Sequence, residues 1–218
     1  MSKYKCVIFD CDGVLVDSEA ISNGILANMA NQYGANLDLN AALKIFKGCS
    51  MAKCLEKISD LVTEPIPENF EAEYRKQSVT AFKKQIKPIE GVKDVVKELK
   101  RLDIPFCVAS SGLESKMRLN LELTGLLDYF EGRLFSCFAI GKWKPDPAVF
   151  LWAAETMGFK PEECVIIEDS YSGVTAAKAG GFDVFGFTAH DIHGQLVGYP
   201  TLEFDNMNQL ISLIKQAG

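Results

Sequence analysis

The stretch YKCVIFDCDGV, from Tyr4 to Val14, decides the fold. Its apolar run is short, rich in β-branched and aromatic residues, and followed at once by Asp10, Asp12 and Gly13. A continuous apolar run of this length is typical of a strand that is buried on both faces of a parallel sheet. The polar residues and the glycine after it predict a sharp turn at the carboxyl end of that strand.

Three more runs predict strands of the same type, at Ile104 to Ala109 (IPFCVA), Cys164 to Ile167 (CVII) and Asp183 to Phe187 (DVFGF). Helical patterns separate these runs. Gly91 to Leu102 has apolar residues on one helical face, and Asp146-Pro147 provides an N-cap and a first-turn proline for a helix that Gly158 ends. Alternating strands and helices predict an α/β fold with a doubly wound, Rossmann-like parallel sheet.

The segment after the first strand has a different pattern. Residues 17–86 show helical spacing of apolar side chains, as in Ile21, Ile25 and Met29, and contain no convincing strand. We therefore predict an all-helical cap domain at 17–86, inserted into a catalytic core formed by residues 1–16 and 87–218. The glycine and proline residues near both junctions suit hinges.

Composition limits the classes of partner. The chain of 218 residues has 23 Lys and Arg against 29 Asp and Glu, a net charge of −6, which disfavours binding to nucleic acid or to an anionic membrane. No apolar stretch approaches the roughly 20 residues that span a bilayer. The seven cysteines include no CxxC pair, which suggests reduced, packed thiols to which we assign no chemistry. We expect a cytoplasmic monomer that acts on a small molecule.

Polar residues follow each predicted strand at the edge where doubly wound sheets bind ligands. Lys144 (GKWKPDP) precedes the next long helix. The other candidates directly follow the strands: Asp10 and Asp12 after the first, Ser110, Ser111 and Gly112 after the second, and Glu168 and Asp169 after the CVII run. We expect all of them to meet at one edge of the sheet.

A cluster of carboxylates at one edge is unfavourable unless a hard cation lies among them, and Mg²⁺ with its oxygen ligands fits best. The expected metal site consists of Asp10, Asp12, Glu168 and Asp169. Lys144 and the donors of Ser110, Ser111 and Gly112 would hold phosphoryl oxygens. A carboxylate nucleophile would divide phosphate-ester hydrolysis into two steps, with Asp12 protonating the leaving oxygen and later activating water.

These motifs, in this order, resemble the haloacid-dehalogenase-like phosphohydrolase superfamily. DCDGV, WKPDP and EDSYSGV are similar to its branch that contains β-phosphoglucomutase and sugar-phosphate phosphatases, with FKG (Phe46 to Gly48) and RLFS closest to 6-phosphogluconate phosphatases. The resemblance implies that Asp10 is the nucleophile and a metal ligand. It also implies that Asp12 is the general acid and base and a ligand through its carbonyl, that Asp169 with Glu168 completes the Mg²⁺ site, and that Ser110 and Lys144 hold the phosphate.

Two alternatives stay open at this point. A phosphomutase like β-phosphoglucomutase would be expected to have a His early in the cap and an Arg after the KG turn, where this chain has Ser22 and Met51. A Mg²⁺-binding interaction module without catalysis is the alternative from another class. Lys47, in the cap turn FKGCS, is predicted either to face the substrate or to be a surface lysine.

Overall fold

The structure is a computed structural model that describes residues 3–191 and 193–217. Within these ranges one parallel sheet has six strands, in the spatial order β3-β2-β1-β4-β5-β6. The strands are β1 (Cys6–Phe9), β2 (Phe106–Ser110), β3 (Leu134–Ser136), β4 (Cys164–Glu168), β5 (Asp183–Phe187) and β6 (Leu202–Phe204). The central strands β1, β2 and β4 are fully buried, as their apolar sequences require.

The described chain divides into two compact units, and Asp17–Lys87 is one of them. This helical unit contains α1 (Glu19–Asn31), α2 (Leu39–Phe46), α3 (Met51–Leu61) and α4 (Phe70–Gln85). The sheet unit consists of the residues on both sides of that segment. Its helices are α5 (Val92–Arg101), α6 (Glu114–Leu123), α7 (Leu127–Phe130), α8 (Cys137–Ile140), α9 (Ala148–Met157), α10 (Tyr171–Ala179) and α11 (Leu210–Gln216), with 3₁₀ turns at Pro161–Glu163 and Met207–Gln209.

The predicted fold class, a doubly wound parallel sheet with an all-helical insertion, is confirmed. Each of the four predicted strands overlaps an observed one, and the Asp183–Phe187 bounds agree. Strands β3 and β6 were not predicted, because three residues are too few to show a period. Helix α9 begins at Ala148 rather than at Pro147, and Asp146 Oδ1 accepts a hydrogen bond from Ala148 N at 2.9 Å.

Each unit has its own apolar core. In the sheet unit, Ile8, Cys107 and Ile166 pack with Phe150 of α9. In the helical unit, Leu26, Phe46, Ile58 and Phe70, one from each helix, are buried together. Fully burying an aliphatic or aromatic side chain contributes about 1.5–3 kcal/mol, so each core stabilises its own unit. Among the described helices, none combines the length and the apolarity needed to cross a bilayer.

Candidate active site

Strand register brings the predicted acidic residues together. Phe9 of β1 is paired with Val108 of β2 on one side and with Ile167 of β4 on the other. Asp10, the next residue, therefore lies beside the ends of the two flanking strands, at the edge predicted to bind ligands. Asp10, Ser110, Lys144, Glu168 and Asp169 are all buried, although each is polar or charged.

Lys144 is the centre of the site. Its Nζ donates hydrogen bonds to Asp10 Oδ1 at 2.7 Å, to Glu168 Oε1 at 2.7 Å and to the Ala109 carbonyl oxygen at 3.1 Å. Only 3% of the side chain is exposed. An ammonium group has three donors, and all three are used here, so Lys144 is held rigidly between β1, β2 and β4.

The pKa shifts of Asp10 and Lys144 reflect an excess of negative charge at the site. Burial raises the pKa of Asp10; Lys144 opposes that shift, and the neighbouring carboxylates Glu168, Asp169 and Asp12 add to it. Burial alone would lower the pKa of Lys144, but Asp10 and Glu168 outweigh it and raise that pKa above its usual range. One buried lysine therefore does not balance the acidic residues, which leaves the site suited to a further cation.

Glu168 is fixed by the start of the following helix. Its Oε2 accepts hydrogen bonds from Ser170 N at 2.8 Å and Ser170 Oγ at 2.9 Å, and Ser170 Oγ also caps α10 by accepting from Gly173 N. A Cβ at Gly173 would lie 1.8 Å from Glu168 Oε1, so only glycine fits there. Because both carboxylate oxygens have protein donors, this geometry favours an orienting role for Glu168 toward Lys144; its predicted metal ligation stays a prediction.

The donor set fits Mg²⁺. Asp10, Glu168 and Asp169 each offer a carboxylate oxygen, and these oxygens lie within 4.8 Å of one another. Gly13 makes room for Asp169: a Cβ at Gly13 would come within 2.2 Å of Asp169 Oδ2, and the backbone there has a positive φ of 78°. All three donors are carboxylate oxygens, and oxygen ligands are the type that Mg²⁺ prefers. Of the three carboxylates, Glu168 already accepts hydrogen bonds from Ser170 at the start of α10. Asp10 and Asp169 are the residues that would hold the ion.

Asp12 lies apart from that oxygen cluster and contacts a lysine that the sequence did not indicate. Lys116 Nζ, on α6, is 2.9 Å from Asp12 Oδ2, and both side chains are mostly buried. The only sequence signal was a lysine six residues after Ser110, and a helix lysine is usually a surface residue. The predicted contact of the Asp12 carbonyl with the metal remains a prediction.

The loop after β2 frames the space next to Asp12. Gly112 N donates to Ser110 Oγ at 3.1 Å, and Ser136 Oγ donates to the Gly112 carbonyl oxygen at 2.6 Å. A Cβ at Gly112 would lie 3.5 Å from Ser110 Oγ and 3.6 Å from Asp12 Oδ2, so all three residues border one small space. Ser111 Oγ instead contacts Cys137 Sγ at 3.9 Å.

Lys47 belongs to the helical unit. It follows α2 as its C-cap residue, and its backbone N–H donates to the Leu43 carbonyl oxygen at 3.2 Å. The side chain is half-buried. Its predicted contact with a substrate stays a prediction.

Comparisons with known proteins identify the family of this chain. The model of the haloacid dehalogenase-like hydrolase family matches residues 7–187. The 6-phosphogluconate phosphatase of Escherichia coli is 34% identical, with 100% of this chain and 98% of that protein covered. The phosphorylated carbohydrates phosphatase of Thermotoga maritima is 29% identical, with 87% of each covered. A solved haloacid dehalogenase-like protein of unknown function from Agrobacterium tumefaciens is 28% identical, with a TM-score of 0.85 and 97% of each chain covered.

Proposed function

This chain belongs to the haloacid dehalogenase-like hydrolase family and is a phosphoric monoester hydrolase, and from that premise we propose that it removes phosphate from a small sugar phosphate with Asp10 as nucleophile and Mg²⁺ as cofactor. The observation that carries the proposal is the bridge from Lys144 Nζ to Asp10 Oδ1 and Glu168 Oε1, at 2.7 Å each. A buried cation fixed against a buried carboxylate holds that nucleophile in one orientation and offers positive charge to an incoming phosphoryl group.

The proposed reaction has two steps. An Asp10 oxygen attacks phosphorus, the bond from phosphorus to the ester oxygen breaks, and the leaving oxygen takes a proton from Asp12. In the second step water attacks the aspartyl phosphate, gives a proton to Asp12 and releases inorganic phosphate with Asp10 restored. Lys116, which contacts Asp12 at 2.9 Å, orients the acid and base group.

Stabilisation of charge accounts for most of the expected rate enhancement, because one positioned acid or base typically contributes only ~10²–10⁴-fold. Asp10 and Asp169 would hold Mg²⁺, which would supply positive charge to neutralise the phosphoryl oxygens. Ser110 and Lys144 hold the phosphoryl group, and the buried surroundings of both side chains strengthen each contact. Glu168 keeps Lys144 in place.

The relatives support a phosphorylated sugar as the substrate. The Escherichia coli relative that aligns over the full chain acts, by its name, on 6-phosphogluconate, and the Thermotoga relative acts on phosphorylated carbohydrates. We propose 6-phosphogluconate as the first substrate to test. The proposed chemistry involves only the phosphate group of the substrate. Discrimination among sugars therefore depends on other contacts than those that catalyse hydrolysis.

Phosphate release from p-nitrophenyl phosphate and from 6-phosphogluconate tests the chemistry. We expect release to require Mg²⁺, to stop on chelation, and to fall by about 10⁴-fold or more in Asp10→Asn. Asp94→Asn is the matched control, because Asp94 lies on α5 with 80% of its side chain exposed. Metal-independent turnover, or turnover that survives Asp10→Asn, would refute the proposal.

The two alternatives give different results. With β-glucose 1-phosphate a phosphomutase forms glucose 6-phosphate and little free phosphate, whereas a phosphatase releases phosphate from either ester. A non-catalytic module would bind Mg²⁺ without turning over any member of a broad panel of phosphorylated metabolites.

A further inference from the structure

Two cysteines of the helical unit lie next to each other at the start of α3. Ser50 caps this helix, so Cys49 is the residue before the cap and Cys54 lies in the turn that follows. These are the two positions whose side chains pack together at many helix starts. Cys54 is part of the buried apolar cluster of the helical unit, and Cys49 packs against the same cluster. Of the cysteines in the described residues, Cys49 is the one that is not fully buried.

A lysine contacts the more exposed thiol. Lys57, one turn further along α3, places Nζ at 3.2 Å from Cys49 Sγ and is itself held by a 2.6 Å hydrogen bond to the Ile45 carbonyl oxygen. The ammonium group is therefore fixed against the sulfur. A cation and a helix start are the surroundings that favour a thiolate.

The pKa values agree with this geometry. The hydrogen bond from Cys54 lowers the pKa of Cys49, partial burial raises it, and Lys57 and Lys53 lower it further, to about 6. The same hydrogen bond raises the pKa of Cys54, and burial adds to that shift. The opposite shifts favour a thiolate at Cys49 beside a neutral thiol at Cys54, which is the combination that forms a disulfide by exchange.

We propose that Cys49 is a modification site that reacts with hydroperoxides and that Cys54 then resolves the product to a disulfide. The Cys49 thiolate attacks the hydroxyl oxygen of the peroxide, the O–O bond breaks, and sulfur is oxidised to a sulfenic acid. The departing oxygen takes a proton from solvent, so the peroxide is reduced to water or an alcohol. The Cys54 sulfur then attacks the Cys49 sulfur, and the sulfenic oxygen leaves as water with the Cys54 proton. A dithiol reductant reverses the change.

The sheet unit provides an internal control. Cys6, Cys107 and Cys164, on the adjacent strands β1, β2 and β4, are also close together, but none of them has any exposed surface. The hydrogen bond with Cys107 raises the pKa of Cys6, the one with Cys164 lowers it, and burial raises it further. The pKa of Cys164 is raised by its hydrogen bond with Cys6 and by burial. These thiols should not react while the chain is folded. A modification confined to Cys49 and Cys54 would therefore distinguish reaction at one specific site from general oxidation of the cysteines.

The first experiment treats the folded, full-length chain with hydrogen peroxide and then digests it with trypsin without reduction. Cleavage after Lys47, Lys53 and Lys57 separates Gly48–Lys53 from Cys54–Lys57, so the two peptides stay joined only by a Cys49–Cys54 disulfide. We expect the joined pair, its loss on reduction, and a dimedone adduct at Cys49 in Cys54→Ala. Sulfinic acid at Cys49 without any joined pair would overturn the resolving role of Cys54.

The second experiment measures activation by Lys57. We expect iodoacetamide to alkylate Cys49 in the folded chain at pH 7 faster than it alkylates the free peptide GCSMAK, and Lys57→Gln to slow the reaction in the protein by about threefold to tenfold. Lys76→Gln is the matched control, because that lysine lies on the exposed face of α4. A rate no faster than that of the free peptide would overturn the proposal, and so would preferential alkylation of the strand cysteines. Both readouts are independent of phosphatase activity.

Discussion

The two units of this chain differ in whether they bury charged side chains. The sheet unit buries Asp10, Lys144, Glu168 and Asp169, whereas among the described residues of the helical unit no charged side chain is buried. The helical unit keeps its ion pairs at the surface, as in the pair of Arg75 with Glu71 on α4. Removing ions from water is unfavourable by several kcal/mol each unless they are paired closely. Perturbed, buried charges of this kind cluster at functional sites, which supports the proposal that the reaction takes place in the sheet unit.

The largest effect is expected from replacing Lys144, the buried cation of the sheet unit. Lys144→Met leaves two buried carboxylates without their cation, so we expect the free energy of unfolding to fall by about 3–5 kcal/mol and turnover to fall by about 1000-fold. Urea titration and phosphate release measure the two effects. Lys142→Met, in the same loop with 60% of its side chain exposed, should change neither appreciably. An unchanged stability of Lys144→Met would contradict the buried pairing.

A second test separates the shape of the metal site from backbone strain. Gly13→Ala and Gly181→Ala both place a side chain at a positive φ, 78° and 79° respectively, and should each lose about 1–2 kcal/mol of stability. The new Cβ meets Asp169 only at Gly13, whereas nothing lies within 4 Å at Gly181. We expect about a 100-fold loss of kcat in Gly13→Ala alone, with weaker Mg²⁺ binding by calorimetry. Equal losses in both variants would attribute the effect to strain.

The contact between Lys116 and Asp12 is more exposed, and its effect should be smaller. Removing one charge-assisted hydrogen bond in Lys116→Gln should reduce kcat/KM for 6-phosphogluconate by about tenfold. Lys97→Gln, on the exposed face of α5, serves as the matched control. If both substitutions leave kcat/KM unchanged, Lys116 does not position Asp12.

The smallest effect is expected in the helical unit. Arg75→Ala removes an i,i+4 pair that is about a third exposed, so the free energy of unfolding should fall by only about 0.3–0.5 kcal/mol, with kcat unchanged. A loss above 2 kcal/mol would show that surface charge in this unit contributes as much as buried charge in the other.

The sequence predicted the polar residues at the ends of the buried central strands, because a continuous apolar run followed by a polar residue is a local signal. Asp10, Ser110 and Glu168 belong to that class. Lys144 was predicted from its motif, but its three hydrogen bonds depend on strand register, which no local pattern contains. Lys116 was missed because its role comes from a contact across 104 positions of sequence. The seven cysteines were assigned no chemistry, since two cysteines five residues apart, such as Cys49 and Cys54, have no distinctive spacing.

The order of the strands also has a consequence for synthesis of the protein. Asp10 is made before the other buried charged residues of the site: its lysine partner follows 134 residues later, and Glu168 comes later still. Contacts of such long range close slowly, after local helices have formed. A nascent or truncated chain that stops before Glu168 therefore holds the proposed nucleophile without the carboxylate that positions Lys144, and the site is complete only once the chain extends through Asp169.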